Sequence, residues 1–389
     1  MLKNRIALLI NTIILFSCVG VLIHFMPLLT APAGAVSRFL VPLASPDYLA
    51  DSVKSKITGY IPQQTEDTTN IPVEESEPVM QRAGSAERND GTDITAVPPD
   101  IAQLMKAAEQ NVKEENARGR TSEEPYLGGG TLLEADGIEI QSKIPEDFYR
   151  PDIPSLLQQD ADLVLTDKTK PTILIYHSHT TEAYSLLDTG YYIESDARSK
   201  DNARNVVRVG DELAAALEQA GFSVLHDTEI HDTDYNSSYD ESRAAVERYL
   251  EEYPSIEVTI DLHRDDITYS DKTKVKPTAV INGKKAARMM LIAGCEYGKV
   301  VNFPDWEYNL RFDLQVQQAV NREYAGLMRP ILFSQRKYNM YETHNSFLLE
   351  VGTDANTLDE ACYAARLFGK AFGDLLNDKY VRQGAEVSQ

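Results

Sequence analysis

Ile173-Leu174-Ile175-Tyr176-His177-Ser178-His179-Thr180-Thr181-Glu182 is the stretch on which the reading of the fold turns. An apolar, β-branched run ends here in two histidines and a carboxylate. A strand that passes straight into ionisable side chains is how open α/β sheets present ligands and catalytic groups at their carboxyl edge. Downstream, Val206, Val207, Val209, Leu213, Ala216 and Leu217 recur at helical intervals between Asn205 and Ala220, and Gly221 stops the run. Phe222-Ser223-Val224-Leu225 then reads as a second strand. Strand, helix and strand in that order make a crossover unit, which implies a parallel sheet.

The next unit repeats the logic. Ser238 and Glu241 have capping-box spacing, a helix continues from Ala244 to Tyr253, and Ile256 to Leu262 forms a third strand. That strand runs into His263-Arg264-Asp265. Lys276 to Ile281, Met289 to Gly294, Ile331 to Phe333 and Ser346 to Leu349 are further strands, and the last delivers Glu350. Leu314 to Leu327 reads as a helix, and a closing helix starts at Asn356-Thr357-Leu358-Asp359-Glu360-Ala361 and runs to Asn377. The expected fold class is α/β, with a mostly parallel central sheet flanked by helices on both sides in a single domain spanning 168–389.

Three strands therefore end in chemistry: the first at His177, His179 and Glu182, the third at His263, the last at Glu350. Strand carboxyl ends share one edge of a parallel sheet, so these residues converge. Taken singly, each has a bland reading as a hydrogen-bonded or solvated side chain. Together, two histidines and a carboxylate are the ligand set of a catalytic zinc with a position left for water, and a further carboxylate moves protons. His177 and His179 stand two apart where the chain leaves the strand, so one or both point inward. Arg264 and Asp265 are candidates for orienting His263, and Asp261 and Asp266 read as structural. His226 and His231 belong to a polar surface loop, and His344 to a structural or substrate-facing position.

The formal net charge of −22 excludes nucleic acid as a partner, because phosphate binding needs clustered Lys and Arg. Cys18, Cys295 and Cys362 match no zinc knuckle or disulfide framework. After Lys3 and Arg5 an apolar run extends from Ile6 to Leu29. Residues 1–30 are read as a transmembrane anchor with a cytoplasmic amino terminus and an exported body. A signal peptide cleaved near Ala33-Gly34-Ala35 is the competing reading. Residues 31–61 follow as a juxtamembrane segment, 62–130 as a flexible acidic linker, and 131–167 as an arm that lays Ile138 and Ile140 against the domain. Within the linker, Pro99 to Ala108 has helical spacing and is expected as a transient helix.

At Tyr176-His177-Ser178-His179-Thr180-Thr181-Glu182-Ala183-Tyr184, Asn205-Val206-Val207-Arg208-Val209-Gly210, Asp261-Leu262-His263-Arg264-Asp265 and Leu349-Glu350-Val351-Gly352, the chain resembles the stage II sporulation protein P peptidoglycan hydrolases. More distantly it is similar to zinc-dependent N-acetylmuramoyl-L-alanine amidases. That resemblance implies an amidase-like catalytic domain, Zn2+ as cofactor, His179 or His177 as first ligand, His263 as second, and Glu350 as catalytic carboxylate. Where those amidases place a Glu before the helix, this chain has Asp201-Asn202-Ala203-Arg204, so Glu182 takes the third place and Asp201 is the fallback. It also implies hydrolysis of the amide between the muramoyl lactyl group and L-alanine, with endopeptidase activity on cross-linked stem peptides. Stage II sporulation proteins D and M are the implied partners, at the sporulation septum or engulfing membrane. Tyr191, Tyr192 and Trp306 are candidates for wall contact, with core packing the competing role. A wall-binding scaffold without catalysis and a zinc carboxypeptidase acting on stem peptides are the other classes weighed.

Overall fold

The computed structural model describes residues 93–126, 128–193 and 197–382. The anchor expected at 1–30, the juxtamembrane segment at 31–61 and the linker up to residue 92 lie outside the described residues. Among the described residues no helix is long and apolar enough to cross a membrane.

In chain order the strands are β1 (Gly119–Glu123), β2 (Thr131–Ala135), β3 (Ile138–Ser142), β4 (Pro171–Tyr176), β5 (Tyr191–Tyr192), β6 (Ser223–His226), β7 (Val258–Asp265), β8 (Lys274–Lys276), β9 (Thr278–Ile281), β10 (Lys284–Ala287), β11 (Met289–Gly294), β12 (Ile331–Ser334) and β13 (Asn345–Thr353). The helices are α1 (Pro99–Asn111), α2 (Ile153–Leu157), α3 (Val206–Gln219), α4 (Ser238–Glu252), α5 (Trp306–Glu323) and α6 (Leu358–Leu375). The main sheet has the order β2-β3-β12-β11-β13-β7-β4-β6. β6, β4, β7 and β13 run parallel to one another. β11 pairs with β13 antiparallel, so β11, β12 and β3 run the other way. The sheet is mostly parallel, as expected, and the reversal leaves β4, β7 and β13 adjacent and co-directional.

One face of the sheet carries α3, α5 and α6 around a core that includes Leu213, Phe312, Phe347 and Phe368. The other face carries α4, whose Val246 packs with Leu174, Tyr176 and Leu225. Both β4 faces are therefore buried, which explains its unbroken apolar run. Asn205 caps α3 by accepting from the Val207 N–H at 2.9 Å, and Thr357 with Glu360 forms a capping box on α6.

Several boundaries differ from the sequence reading. α4 starts at Ser238 with Ser237 as N-cap, and the expected Ser238–Glu241 box is replaced by a bond from Ser237 Oγ to Glu241 at 3.3 Å. α5 begins at Trp306, two turns before Leu314, because Glu307, Asn309 and Arg311 dilute its apolar period. The expected strand from Lys276 to Ile281 is split at Pro277, and Asn282-Gly283, both at positive φ, turns β9 into β10.

The described part of the expected linker is folded. Ile101 of α1 is fully buried, and the Arg208 side chain donates to Asp100 at 2.7 Å. Arg366 donates to the carbonyls of Ile94 and Ala96, and β1 fills a three-stranded sheet between β5 and β8. Ile138 and Ile140 are buried in β3 as part of the main sheet.

Candidate active site

Register sets the site. Tyr176 of β4 stands beside Asp261 of β7, and His263 of β7 beside Glu350 of β13. The loop after β4 crosses these strand ends. It is anchored by Ser178, whose N–H and Oγ–H donate to the two carboxylate oxygens of Asp261 at 2.9 and 2.7 Å. Thr181 Oγ–H bonds Asp232, which also takes a bond from Arg198 at 2.9 Å.

The two histidines of this loop differ sharply. His177 is fully buried, its Nδ1–H donates to the Leu262 carbonyl at 2.8 Å, and its Nε2 accepts from His226 Nε2–H at 2.8 Å. Burial, then the neighbouring His226, push it down to about 3. Both nitrogens are engaged in the core. His179 is buried too, yet its Nδ1 has no hydrogen-bond partner. Its ring stacks on Tyr235 with centroids 4.4 Å apart, and stands nearly perpendicular to His263 at 5.4 Å. Burial lowers its pKa, so it is held as the neutral imidazole that ligates metals.

His263 is gripped on both sides, with Nε2 2.7 Å from Asp261 and Nδ1 3.4 Å from Glu182. Burial works against its charge, but the two carboxylates outweigh it and hold the ring protonated well above the usual range. Burial alone would raise Glu182, whereas His263 and then Arg264 hold it down to about 2. Glu182 Oε2 also accepts the Arg264 N–H at 3.1 Å. Glu350 is partly buried, with Oε2 shielded and without a partner. Burial, then the charge of Asp265, push Glu350 up to about 8.

His179, His263 and Glu182 thus bring two imidazoles and one carboxylate together in a buried neighbourhood, with His179 Nδ1 left without a partner. The chemistry of this set fits zinc, which two imidazole nitrogens and a carboxylate oxygen would hold. Asp227, Glu229 and His231 form a tighter group, their ligand atoms within 4.8 Å of one another. His179, Glu182 and His263 do not meet that closeness. In the tighter group, however, His231 Nε2 and Asp227 satisfy each other at 2.9 Å, and the loop accepts Thr180 Oγ–H at the Glu229 carbonyl, so it braces the loop after β4.

Some expected roles move. Orienting His263 falls to Asp261, which shares a strand face with it two residues away, a spacing legible in the sequence. Arg264 instead donates to the Ala183 and Ala197 carbonyls, and Asp265 accepts from Arg329 at 3.0 Å. Asp201 is exposed and caps its own turn by accepting from the Ala203 N–H. His226 and His231 are buried rather than at the surface, and His344 pairs with Asp162 at 2.7 Å. Trp306 packs in the core against Tyr149 and Phe333. No sequence signal marked Tyr235 and Tyr239, whose rings flank His179.

A family model described as Stage II sporulation protein P matches residues 50–373. The curated Stage II sporulation protein P of Bacillus subtilis (strain 168) is 31% identical over 227 residues, covering 55% of this chain and 53% of that protein. The chain thus matches about half the length of that relative. Among solved structures, N-acetylmuramoyl-L-alanine amidase AmiC2 of Nostoc punctiforme has a TM-score of 0.34 at 13% identity, covering 55% of this chain and 99% of that one. The CwlD amidase of Clostridioides difficile, solved in complex with the GerS lipoprotein, has a TM-score of 0.33 at 10% identity, covering 54% of this chain and 100% of that one.

Proposed function

Since this chain belongs to the stage II sporulation protein P family, we propose that it is a zinc-dependent peptidoglycan hydrolase that cuts the N-acetylmuramoyl-L-alanine amide. The observation that carries this reading is the orphaned, buried Nδ1 of His179, set against His263 and Glu182 beside a carboxylate raised to about 8. His179, His263 and Glu182 would hold the metal, and Asp261 would fix the His263 ring through Nε2. Zinc, when bound, supplies a Lewis acid for the scissile carbonyl and an acidified water. Glu350 takes a proton from the attacking water and returns it to the departing amine of L-alanine as the C–N bond breaks. A raised pKa suits that double duty, because the group must both accept and release a proton near neutral pH.

Endopeptidase action on cross-linked stem peptides, a membrane anchor at 1–30, placement outside the cytoplasm at the septum and partnership with stage II sporulation proteins D and M belong to the same reading. Digestion of purified wall tests its core. New L-alanine amino ends, lost in His263→Ala and in Glu350→Ala, are expected. Free terminal amino acids would identify a carboxypeptidase, and digestion that persists in both variants would overturn the assignment.

A further inference from the structure

A metal-binding imidazole is ordinarily held in its plane by a hydrogen bond at the nitrogen that does not face the metal. His263 has such a bond, with Asp261 at 2.7 Å. His179 has none, and its side chain makes no hydrogen bond or ion pair among the described residues. Its ring lies instead on Tyr235, with centroids 4.4 Å apart and planes 2° from parallel. Tyr235 is 58% exposed, so core burial does not account for its place. Its turn is fixed from both sides: Asp234 accepts the Asn236 N–H at 3.0 Å, and Ser238 Oγ–H donates to the Tyr235 carbonyl at 3.1 Å. The Arg198 guanidinium lies over the tyrosine ring, 5.1 Å from its centroid. Arg198 in turn donates to buried Asp232 at 2.9 Å and to Thr181 Oγ at 3.0 Å. Contacts therefore run from the loop that carries His179 out to Arg198, and return through Tyr235 to the His179 ring. Tyr239 of α4 adds a perpendicular ring at 5.3 Å.

We propose that Tyr235 is the positioning residue of His179: its flat ring, steadied by Arg198, sets the imidazole plane that a hydrogen bond sets for His263. Stacking fixes the tilt of the ring while leaving its nitrogens free, so the side chain meets a metal already ordered and loses less freedom on binding it. The role belongs to the face of Tyr235 and not to its hydroxyl. It rests on the reading of His179 as a metal ligand given above.

The test is zinc affinity of the full-length chain in detergent, by competition against a chelator, together with urea unfolding of the metal-free chain. Tyr235→Leu keeps bulk without a flat ring, and is expected to weaken zinc about tenfold or more while the metal-free unfolding midpoint stays at the wild-type value. Tyr235→Phe keeps the ring, and is expected to stay within about twofold of wild type. Cobalt(II) gives a second reading, because its visible absorption follows ligand geometry. The Tyr235→Leu spectrum should differ from wild type and the Tyr235→Phe spectrum should coincide with it. Wild-type affinity in Tyr235→Leu, equal losses in the Leu and Phe variants, or a loss matched by a lower metal-free midpoint would each overturn the positioning role. His179→Ala separates this role from the ligand assignment beneath it. Zinc binding that ignores His179→Ala overturns both. Zinc binding abolished by His179→Ala but untouched by Tyr235→Leu overturns the positioning role alone.

Discussion

Asp261 Oδ1 lies 2.7 Å from His263 Nε2, and the same carboxylate takes both the N–H and the hydroxyl of Ser178. One side chain thus aims a ring of β7 and pins the loop that carries His179 and Glu182. Asp261→Asn should therefore lower zinc affinity about 10–100-fold without preventing folding. Competition against a chelator of known affinity measures it, and an unchanged affinity would remove Asp261 from the site.

The two neighbouring histidines should separate cleanly. His177→Ala leaves the Leu262 carbonyl and the Nε2 of His226 without partners in the core, a loss of about 1–3 kcal/mol or more. His179→Ala removes a group with no hydrogen bond at Nδ1 and should cost far less stability while abolishing zinc binding. Denaturant unfolding and metal content, measured on both variants, give the comparison.

Glu350 acts as a base only when ionised. With its carboxyl pushed up to about 8, kcat/KM of the wild type should rise with pH through that region. After burial, the charge of Asp265 raises it most, so Asp265→Asn should move the rising limb to lower pH. A limb that stays in place, followed on a soluble muramoyl-peptide substrate, would show that Glu350 does not set it.

Asp313 on α5 is wholly buried and neither carboxylate oxygen has a partner, so burial raises its pKa well above the usual range. A carboxyl with a raised folded pKa contributes stability below its unfolded pKa and loses it as pH rises toward the folded value. Asp313→Asn should therefore stabilise the fold at pH 7 by about 1–3 kcal/mol, and by less at pH 4. Urea unfolding at the two pH values decides it.

The strands that build the site were legible because burial on both faces leaves an uninterrupted apolar run, as in Ile173 to Tyr176, and each such run ended in an ionisable residue. The antiparallel seam between β11 and β13 was not, since nothing in an apolar strand encodes the direction of its neighbour. The helical spacing of α1 was legible from Pro99 to Ala108, but its docking was not, because it is anchored by one buried side chain, Ile101, and by an ion pair 108 residues away, Asp100 with Arg208. The choice between His177 and His179 needed the partners at Leu262 and His226, which only tertiary structure supplies.

Diffraction from crystals grown with zinc, recorded on either side of the zinc absorption edge, tests the central claim most directly. The account predicts one strong anomalous peak about 2.0–2.1 Å from His179 Nδ1 and His263 Nδ1 and about 2.0–2.2 Å from a Glu182 oxygen. A peak held instead by Asp227, Glu229 and His231, or one that draws His177 out of its core hydrogen bonds, would contradict it.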